Sequence, residues 1–292
     1  MPGTDGGGQI LLVSDLDGTL LRPDATLSEM TIRIINDYIA DGGMFTYATA
    51  RSFTSASRVT APLDLHLPVI TYGGAVVVDP LTREARQVQT LAVDVVDEVL
   101  DITSGSPLVQ PIVFAIHEDR DRVCWLTDQA TPGVESFLSK RKGDHRLLPL
   151  SDWSTIDRSS VFYITLIGSH KPLQGVHDNL DEVRARCQVI LAEDVYTPGE
   201  WWLVLTSLTG TKAAAITALK SELGADALVC FGDNHNDLPM FAIADTALAV
   251  ANAVAEVRAA ASDVIGANTT DGVARWISAH ARMPRRTVDW TL

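Results

Sequence analysis

Cysteine and basic residues are both scarce in this chain of 292 residues. The three cysteines (Cys124, Cys187 and Cys230) are widely spaced and form no Cys-x-x-Cys pair, which argues against a disulfide framework and a zinc site. We expect them to be buried free thiols in a reducing compartment. Lysine and arginine number 23 against 37 acidic residues, so the net charge is −14. Because that charge repels phosphate backbones and anionic lipid, we expect neither a nucleic-acid nor a membrane partner.

Long hydrophobic runs are also missing. Asp245, Asn252 and Glu256 interrupt the Ala-rich stretch 242–261, which therefore falls short of the roughly 18 apolar residues that a membrane span requires. Residues 1–8 are rich in glycine and lack the basic segment of a signal peptide, so we expect a flexible leader and a cytoplasmic protein.

Apolar runs and amphipathic segments alternate in the order of an α/β fold. The first segments are apolar runs at 10–13, 44–48 and 67–71, separated by helical patterns at 28–40 and 52–60. This order predicts a doubly wound parallel sheet, a Rossmann-like core. The alternation resumes after residue 208, so the sequence predicts a core of residues 9–80 and 208–292 that is split by an α+β insert, 81–207.

The insert has a looser pattern than the core. We expect strands near 110–116, 122–127, 161–168 and 201–207, and helices near 92–103, 131–140 and 173–186.

Two acidic residues follow the first predicted strand. Asp15 and Asp17 stand one residue apart in Asp-Leu-Asp-Gly-Thr-Leu (15–20), where the carboxyl end of a parallel strand places ligand-binding groups. One carboxylate there can act as nucleophile or metal ligand while the other transfers a proton. Taken alone, the pair is more simply an acidic surface loop that turns at Gly18.

Two more acids, Asp233 and Asp237, follow the apolar run 227–231. Four clustered carboxylates repel one another unless a hard cation lies among them, and Mg²⁺ suits such oxygen ligands. The same segment also reads as a helix start capped by Asn236 or Asp237, and both interpretations can hold together.

Two other segments offer groups that bind an anion. Thr49-Ala50-Arg51 ends the second strand and precedes a helix, where a hydroxyl and free backbone N–H groups can hold phosphate. Lys212 begins a helix, and its ammonium can serve as a phosphate clamp that also keeps a nucleophilic carboxylate ionised.

Together these motifs, in this order, resemble the haloacid dehalogenase superfamily, and within it the Cof-type sugar-phosphate phosphatases. Only 31 residues (18–48) separate the first motif from Thr49, whereas 160 residues (52–211) lie between Arg51 and Lys212. The second spacing resembles the branches of the family that carry a large α/β cap domain.

The resemblance implies a role for each motif residue. Asp15 would take the phosphoryl group as an aspartyl-phosphate, and Asp17 would be the general acid and base. The expected Mg²⁺ ligands are Asp15, the backbone carbonyl of Asp17, Asp233 and, through water, Asp237. The expected phosphate- or substrate-binding residues are Thr49, Ala50, Arg51, Lys212 and Asn236, of which Asn236 would contact phosphate or orient Asp233.

Two positions depart from the family pattern. Ala50 stands where the family usually has glycine, and Gly73 where it usually has asparagine. The resulting expectation is a Mg²⁺-dependent phosphatase of a small phosphorylated metabolite, with a sugar phosphate as the best candidate and the insert selecting the substrate. A phosphosugar mutase and a non-catalytic sugar-phosphate sensor remain as alternatives.

Overall fold

A computed structural model of the chain describes residues 9–117, 120–194 and 197–280. The predicted leader 1–8 and the end of the predicted core, 281–292, lie outside these ranges. The strands are β1 (Ile10–Ser14), β2 (Met44–Tyr47), β3 (Val69–Thr71), β4 (Val76–Val78), β5 (Ala85–Val88), β6 (Pro111–His117), β7 (Arg120–Leu126), β8 (Leu147–Leu150), β9 (Val161–Gly168), β10 (Cys187–Glu193), β11 (Trp201–Ser207), β12 (Ala227–Gly232), β13 (Thr246–Val250) and β14 (Asp263–Ile265). The helices are α1 (Glu29–Ala40), α2 (Phe53–Thr60), α3 (Val93–Thr103), α4 (Pro132–Ser139), α5 (His170–Asp178), α6 (Lys212–Leu223), α7 (Leu238–Ile243), α8 (Ala255–Ala260) and α9 (Gly272–His280).

The chain divides into two units. The first runs to Gln87 and resumes at Thr211, and the second spans Val88–Gly210. The first boundary between the units follows Gln87 and not residue 80 as expected. The reason is that β5 is paired with β4 in one sheet, so most of β5 belongs to the first unit.

A parallel sheet in the order β14-β13-β12-β1-β2 forms the centre of the first unit. The expected α/β class with a parallel core sheet is therefore confirmed. Leu11, Leu12 and Val13 of β1 are at most 1% exposed, because a strand in the middle of such a sheet is covered on both faces. Ser28 and Ser52, the first residues of the two predicted helical segments, are the N-caps of α1 and α2.

The apolar run 67–71 does not continue this sheet as expected. β3 pairs in antiparallel fashion with β4, and the two lie with β5 in a separate sheet. A tight turn at Tyr72–Gly74 reverses the chain immediately after β3. As a result, β4 runs back along β3 and forms hydrogen bonds with it. An isolated bridge between Ala48 and Ile70 links β3 to the end of β2.

The second unit is an α+β structure, as expected of the insert. Its sheet has the order β10-β11-β9-β6-β7-β8, and Val95 and Val99 of α3 belong to one buried apolar cluster with Ile164 and Leu203 of the sheet. Strands β8 and β10 were not predicted. Both are edge strands with partly exposed side chains, and their short apolar segments, one of which contains Pro149, do not alternate with polar residues. The predicted helix 173–186 was wrong in extent. It ends at Asp178, where the Asn179 side chain donates to the Gly175 carbonyl, and a short 3-10 turn follows.

The three cysteines are buried free thiols, as expected. Burial raises the pKa of Cys124 and of Cys230 to about 12 and that of Cys187 to about 11, so all three are protonated and unreactive at neutral pH. Of the helices that the structure describes, none combines the length and the apolar character of a membrane crossing.

Candidate active site

Asp15 lies at the carboxyl end of β1, in the middle of the parallel sheet. Its backbone N–H donates to the Phe231 carbonyl of the neighbouring β12 at 2.9 Å, which fixes the end of the strand. The residue is only 4% exposed. A carboxylate is thus held almost out of solvent at the sheet edge where ligands bind in this type of fold.

The second acidic motif follows β12 and is folded by its own hydrogen bonds. Oδ2 of the fully buried Asp237 accepts from the backbone N–H groups of Asp233 (2.9 Å) and Asn234 (3.1 Å). Asn234 caps the turn 235–237, and Asp237 is the reciprocal partner of that cap. Asp237 also occupies the expected N-cap position of α7, but its side chain makes no capping bond there, and Asn236 caps neither element. The other oxygen of Asp237, Oδ1, remains directed to a different partner.

That partner is Lys212. Thr211 caps α6 and thereby sets Lys212 as the first residue of the helix, with its side chain 2% exposed. Lys212 Nζ donates to Asp15 Oδ1 at 2.5 Å and to Asp237 Oδ1 at 2.7 Å. One ammonium therefore joins both acidic motifs, which are brought together from β1 and β12.

Two glycines allow this close approach. Gly18 has φ +80°, and a Cβ there would lie 2.3 Å from Oδ2 of Asp233. Gly74 has φ +112°, and a Cβ there would lie 2.1 Å from the carbonyl carbon of Thr211. Any side chain at these positions would displace Asp233 or the start of α6.

The cluster carries more negative than positive charge. Asp15, Asp233 and Asp237 each offer an oxygen within 4.8 Å of the others. Burial raises the pKa of Asp15 well above its usual value; Lys212 lowers it in part, while the two other carboxylates raise it further. Burial and Asp237 raise the pKa of Asp233 to about 6. Burial disfavours the charged form of Lys212, but Asp15 and Asp237 outweigh that effect and raise its pKa.

Asp17 points to a different partner. Arg51 donates from Nε to Asp17 Oδ2 at 2.7 Å and from Nη2 to Asp17 Oδ1 at 2.6 Å. The pair joins the loop after β1 to the loop before α2 and is partly exposed.

The remaining predicted residues lie around these loops. Thr49 is buried, and its hydroxyl accepts from the Arg51 backbone N–H at 3.1 Å. Ala50 and Asn236 are both exposed. The group that contacts Asp233 is Thr19, whose hydroxyl donates to Asp233 Oδ1 at 3.0 Å. No role was predicted for Thr19, although it belongs to the first acidic motif (15–20).

The two departures from the family pattern have different surroundings. Positive φ among the described non-glycine residues occurs at Ala25, Tyr72, Arg83 and Asp271, so Ala50 carries no left-handed strain and replaces glycine without a backbone penalty. Gly73 has φ +67°, and open space surrounds the position of its missing Cβ.

A parallel α/β sheet with three carboxylates and a lysine at its carboxyl edge has the chemistry of a hydrolase for phosphate esters. The model of the haloacid dehalogenase-like hydrolase family matches residues 12–277, and the chain belongs to this family.

Relatives match nearly the whole chain. It is 25% identical over 280 residues to the 5-amino-6-(5-phospho-D-ribitylamino)uracil phosphatase YitU of Bacillus subtilis (strain 168), covering 91% of this chain and 96% of the relative. It is 26% identical over 279 residues to the HMP-PP phosphatase of Serratia proteamaculans (strain 568), covering 94% and 96%. The solved structure of a haloacid dehalogenase-like hydrolase from Bacteroides thetaiotaomicron has a TM-score of 0.76 at 21% identity, covering 93% of this chain and 99% of that one. The resemblance to the Cof-type branch with an inserted cap is thus confirmed, and the chain is a phosphatase.

Proposed function

We propose that this phosphatase is Mg²⁺-dependent and transfers the phosphoryl group of a small phosphorylated metabolite to Asp15 before hydrolysis. The observation that carries the proposal is the buried ion pair between Lys212 Nζ and Asp15 Oδ1, at 2.5 Å. A nucleophilic carboxylate must be ionised, and burial alone works against ionisation at this position. Lys212 opposes the effect of burial and presents positive charge where a phosphate would enter.

The proposed reaction has two steps. In the first, an oxygen of Asp15 bonds to phosphorus while the bond from phosphorus to the substrate oxygen breaks, and that oxygen takes the electron pair and a proton from Asp17. In the second, water attacks the phosphorus and gives its proton to Asp17. The bond to Asp15 then breaks, which releases inorganic phosphate and restores the carboxylate.

Mg²⁺ fits the donor set beside Asp15. The three carboxylate oxygens of Asp15, Asp233 and Asp237 are hard ligands within 4.8 Å of one another, and Lys212 is the cation that contacts two of them. Burial, and after it the neighbouring carboxylates, raise the pKa values of Asp15 and Asp233, and a divalent cation would favour their ionised forms. When bound, the ion would supply positive charge to the phosphoryl oxygens. We assign the ligand roles to Asp15, Asp233 and Asp237, with the Asp17 carbonyl beside them.

Phosphate oxygens require donors besides Lys212. Thr49, Ala50 and Arg51 precede α2, whose first backbone N–H groups favour an anion. We assign the Thr49 hydroxyl and the backbone N–H groups of this segment, together with the exposed Asn236, to binding of the phosphate or of the group that leaves.

The substrate we favour is a sugar or sugar-alcohol phosphate. One relative acts on a phosphorylated ribityl compound and another on HMP-PP, so relatives of similar identity act on different phosphorylated small molecules. We expect residues of the second unit to choose among substrates, because a phosphate site is common to all phosphomonoesters. The cytoplasm stays the expected location.

The test is release of inorganic phosphate from a panel of several dozen phosphorylated metabolites by the purified protein with MgCl₂. We expect many turnovers for at least one sugar phosphate, loss of turnover in EDTA and recovery on addition of Mg²⁺. Acid quenching during turnover should trap a phosphoenzyme that hydroxylamine cleaves, as an acyl phosphate does. Binding without phosphate release would favour the sensor, and an isomerised sugar phosphate without release would favour the mutase.

A further inference from the structure

The ion pair of Asp17 and Arg51 lies beside the buried acidic cluster but is separate from its lysine. Two parallel N–H···O bonds of 2.6 and 2.7 Å join the guanidinium to both carboxylate oxygens. The side chain of Arg51 is 18% exposed and that of Asp17 27%. A bidentate pair of this kind sets the plane of the carboxylate as well as its distance.

Arg51 is itself held at both ends. Its backbone N–H donates to the Thr49 hydroxyl, and its carbonyl accepts from the Tyr72 N–H at 2.9 Å. At the other end of the side chain, Nη1 donates to the Ser55 hydroxyl at 3.3 Å. The guanidinium is therefore a fixed support.

The backbone of Asp17 is fixed, whereas its side chain depends on Arg51. Gly18 follows in a left-handed conformation that Asp233 enforces by its proximity, and the Gly18 carbonyl accepts from the Asn252 side chain at 2.7 Å. These contacts locate the backbone around Asp17, and the two bonds from Arg51 fix the orientation of its carboxylate.

We infer that Arg51 is a positioning residue for Asp17 and acts in proton transfer through it, not by binding phosphate. The inference rests on the proposed function, in which Asp17 gives a proton to the leaving oxygen. An ionised carboxylate has about four lone-pair positions in one plane, and the two parallel bonds from Arg51 fix the direction of that plane. Holding the carboxyl group in line with the leaving oxygen is what makes an acid effective.

The inference predicts a dependence on the leaving group. A good leaving group such as p-nitrophenolate departs with little help from an acid, whereas phenolate needs the proton. The two phenyl esters have nearly the same shape, so a difference between them reports proton transfer and not fit. The quantity to compare is kcat/KM, because it covers the steps up to departure of the leaving group.

The experiment measures kcat/KM for p-nitrophenyl phosphate and phenyl phosphate with Mg²⁺, in the wild type and in Arg51→Gln, Arg51→Lys, Asp17→Asn and the double variant Arg51→Gln/Asp17→Asn. Arg58→Gln, an exposed arginine of the helix α2 that follows Arg51, is the matched control. We expect Arg51→Gln to lower kcat/KM for phenyl phosphate on the order of tenfold to a hundredfold more than for p-nitrophenyl phosphate. Arg51→Lys should recover part of the difference, and the double variant should equal Asp17→Asn.

Three outcomes would overturn the inference or its basis. Equal losses for the two esters in Arg51→Gln, with a selective loss in Asp17→Asn, would make Arg51 a phosphate-binding residue and refute the positioning role alone. Additive losses in the double variant would do the same. A wild type inactive on both esters and on the metabolite panel would refute the proposed function instead. The melting temperature of each variant separates these effects from misfolding.

Discussion

In each unit of the molecule a buried cationic side chain lies between two aspartates. The pKa of Asp15 in the first unit is raised, whereas that of Asp144 in the second unit is lowered. In the first unit, Lys212 contacts Asp15 and Asp237. In the second unit, Arg146 bonds to both oxygens of Asp144 (2.6 and 3.0 Å) and to Asp121 (3.1 Å). Burial pushes the pKa of Asp144 upward, but bonds from the Arg146 side chain and backbone outweigh it, and the pKa is lowered.

The difference lies in how completely charge is matched. Asp144 receives three bonds from one residue, so its ionised form is favoured in the folded protein. Burial is the main cause that raises the pKa of Asp15; the bond from Lys212 offsets it only in part and two more carboxylates add to it, so the ionised form of Asp15 is disfavoured. A cluster that is satisfied contributes stability, whereas one with surplus negative charge is suited to receiving a cation and a substrate.

The largest expected effect is that a substitution in one cluster lowers activity and the matching substitution in the other lowers stability. Asp15→Asn should lower phosphatase activity roughly 10⁴-fold or more, because the nucleophile is lost. It should leave the metal-free stability unchanged or higher, because one of three crowded carboxylates becomes neutral. Asp144→Asn should keep the activity and cost about 3 kcal/mol, because it breaks a buried bidentate pair. Phosphate release and urea unfolding measure the two quantities.

The reverse pattern would contradict the comparison. If Asp15→Asn retained wild-type turnover, the aspartyl-phosphate mechanism would be refuted. If Asp144→Asn lost activity at unchanged stability, the cluster of the second unit would have a role in catalysis.

The next effect concerns the two cations of α6. Lys212→Met leaves Asp15 and Asp237 buried without their cation, so we expect a loss of about 3–5 kcal/mol in the metal-free protein and a large loss of activity. Lys220→Met on the same helix removes a partly exposed pair with Asp245 and should cost less than about 1 kcal/mol. Urea unfolding in EDTA compares them, and equal costs would mean that Lys212 does not stabilise the cluster.

The sequence predicted the core better than the insert, for a physical reason. Strands such as β1 and β12 are covered on both faces and read as unbroken apolar runs, and Ser28 and Ser52 mark the helix starts. Edge strands such as β8 and β10 are partly exposed, and their short apolar segments, one of which contains Pro149, do not identify a strand by themselves.

The candidate site was predictable in its membership but not in its pairing. The motif order indicated that Asp15, Lys212 and Asp237 belong together, because β1 and β12 end at one sheet edge and the long side chain of Lys212, at the start of α6, could reach it. The pairing of Asp17 with Arg51 joins side chains of two loops that are 34 positions apart, and the spacing of residues in the sequence does not predict such a contact. The contact of Thr19 with Asp233 likewise depends on how close Gly18 allows the two loops to come.

A smaller effect is the dependence of stability and of Mg²⁺ affinity on pH. The pKa of Asp233 is raised to about 6, so the folded metal-free protein holds this proton more tightly than the unfolded chain does. Its contribution to stability therefore falls as pH rises from about 4 to 6, and Mg²⁺, which needs the ionised carboxylate, competes with the proton below pH 6. We expect the apparent affinity for Mg²⁺ to be about tenfold weaker at pH 5 than at pH 7. Melting temperatures in a Mg²⁺ titration measure it, and equal affinities at both pH values would remove Asp233 from the ligand set.

The smallest effect separates the two acids of the Arg146 cluster. The side chain of Asp121 is 30% exposed and accepts a bond from the Arg146 guanidinium, whereas that of Asp144 is 6% exposed and accepts two from the guanidinium and one from the Arg146 backbone N–H. Asp121→Asn should therefore cost less than about 1 kcal/mol, leave phosphatase activity unchanged, and lose most of its cost in high salt, because solvent ions screen a partly exposed pair. The cost of Asp144→Asn should persist in the same salt, because ions do not reach a buried pair. Urea unfolding of both variants at low and high NaCl tests this. If salt reduced both costs equally, the Arg146 cluster would be an ordinary surface network, and its contrast with the buried cluster around Lys212 would rest on exposure rather than on charge matching.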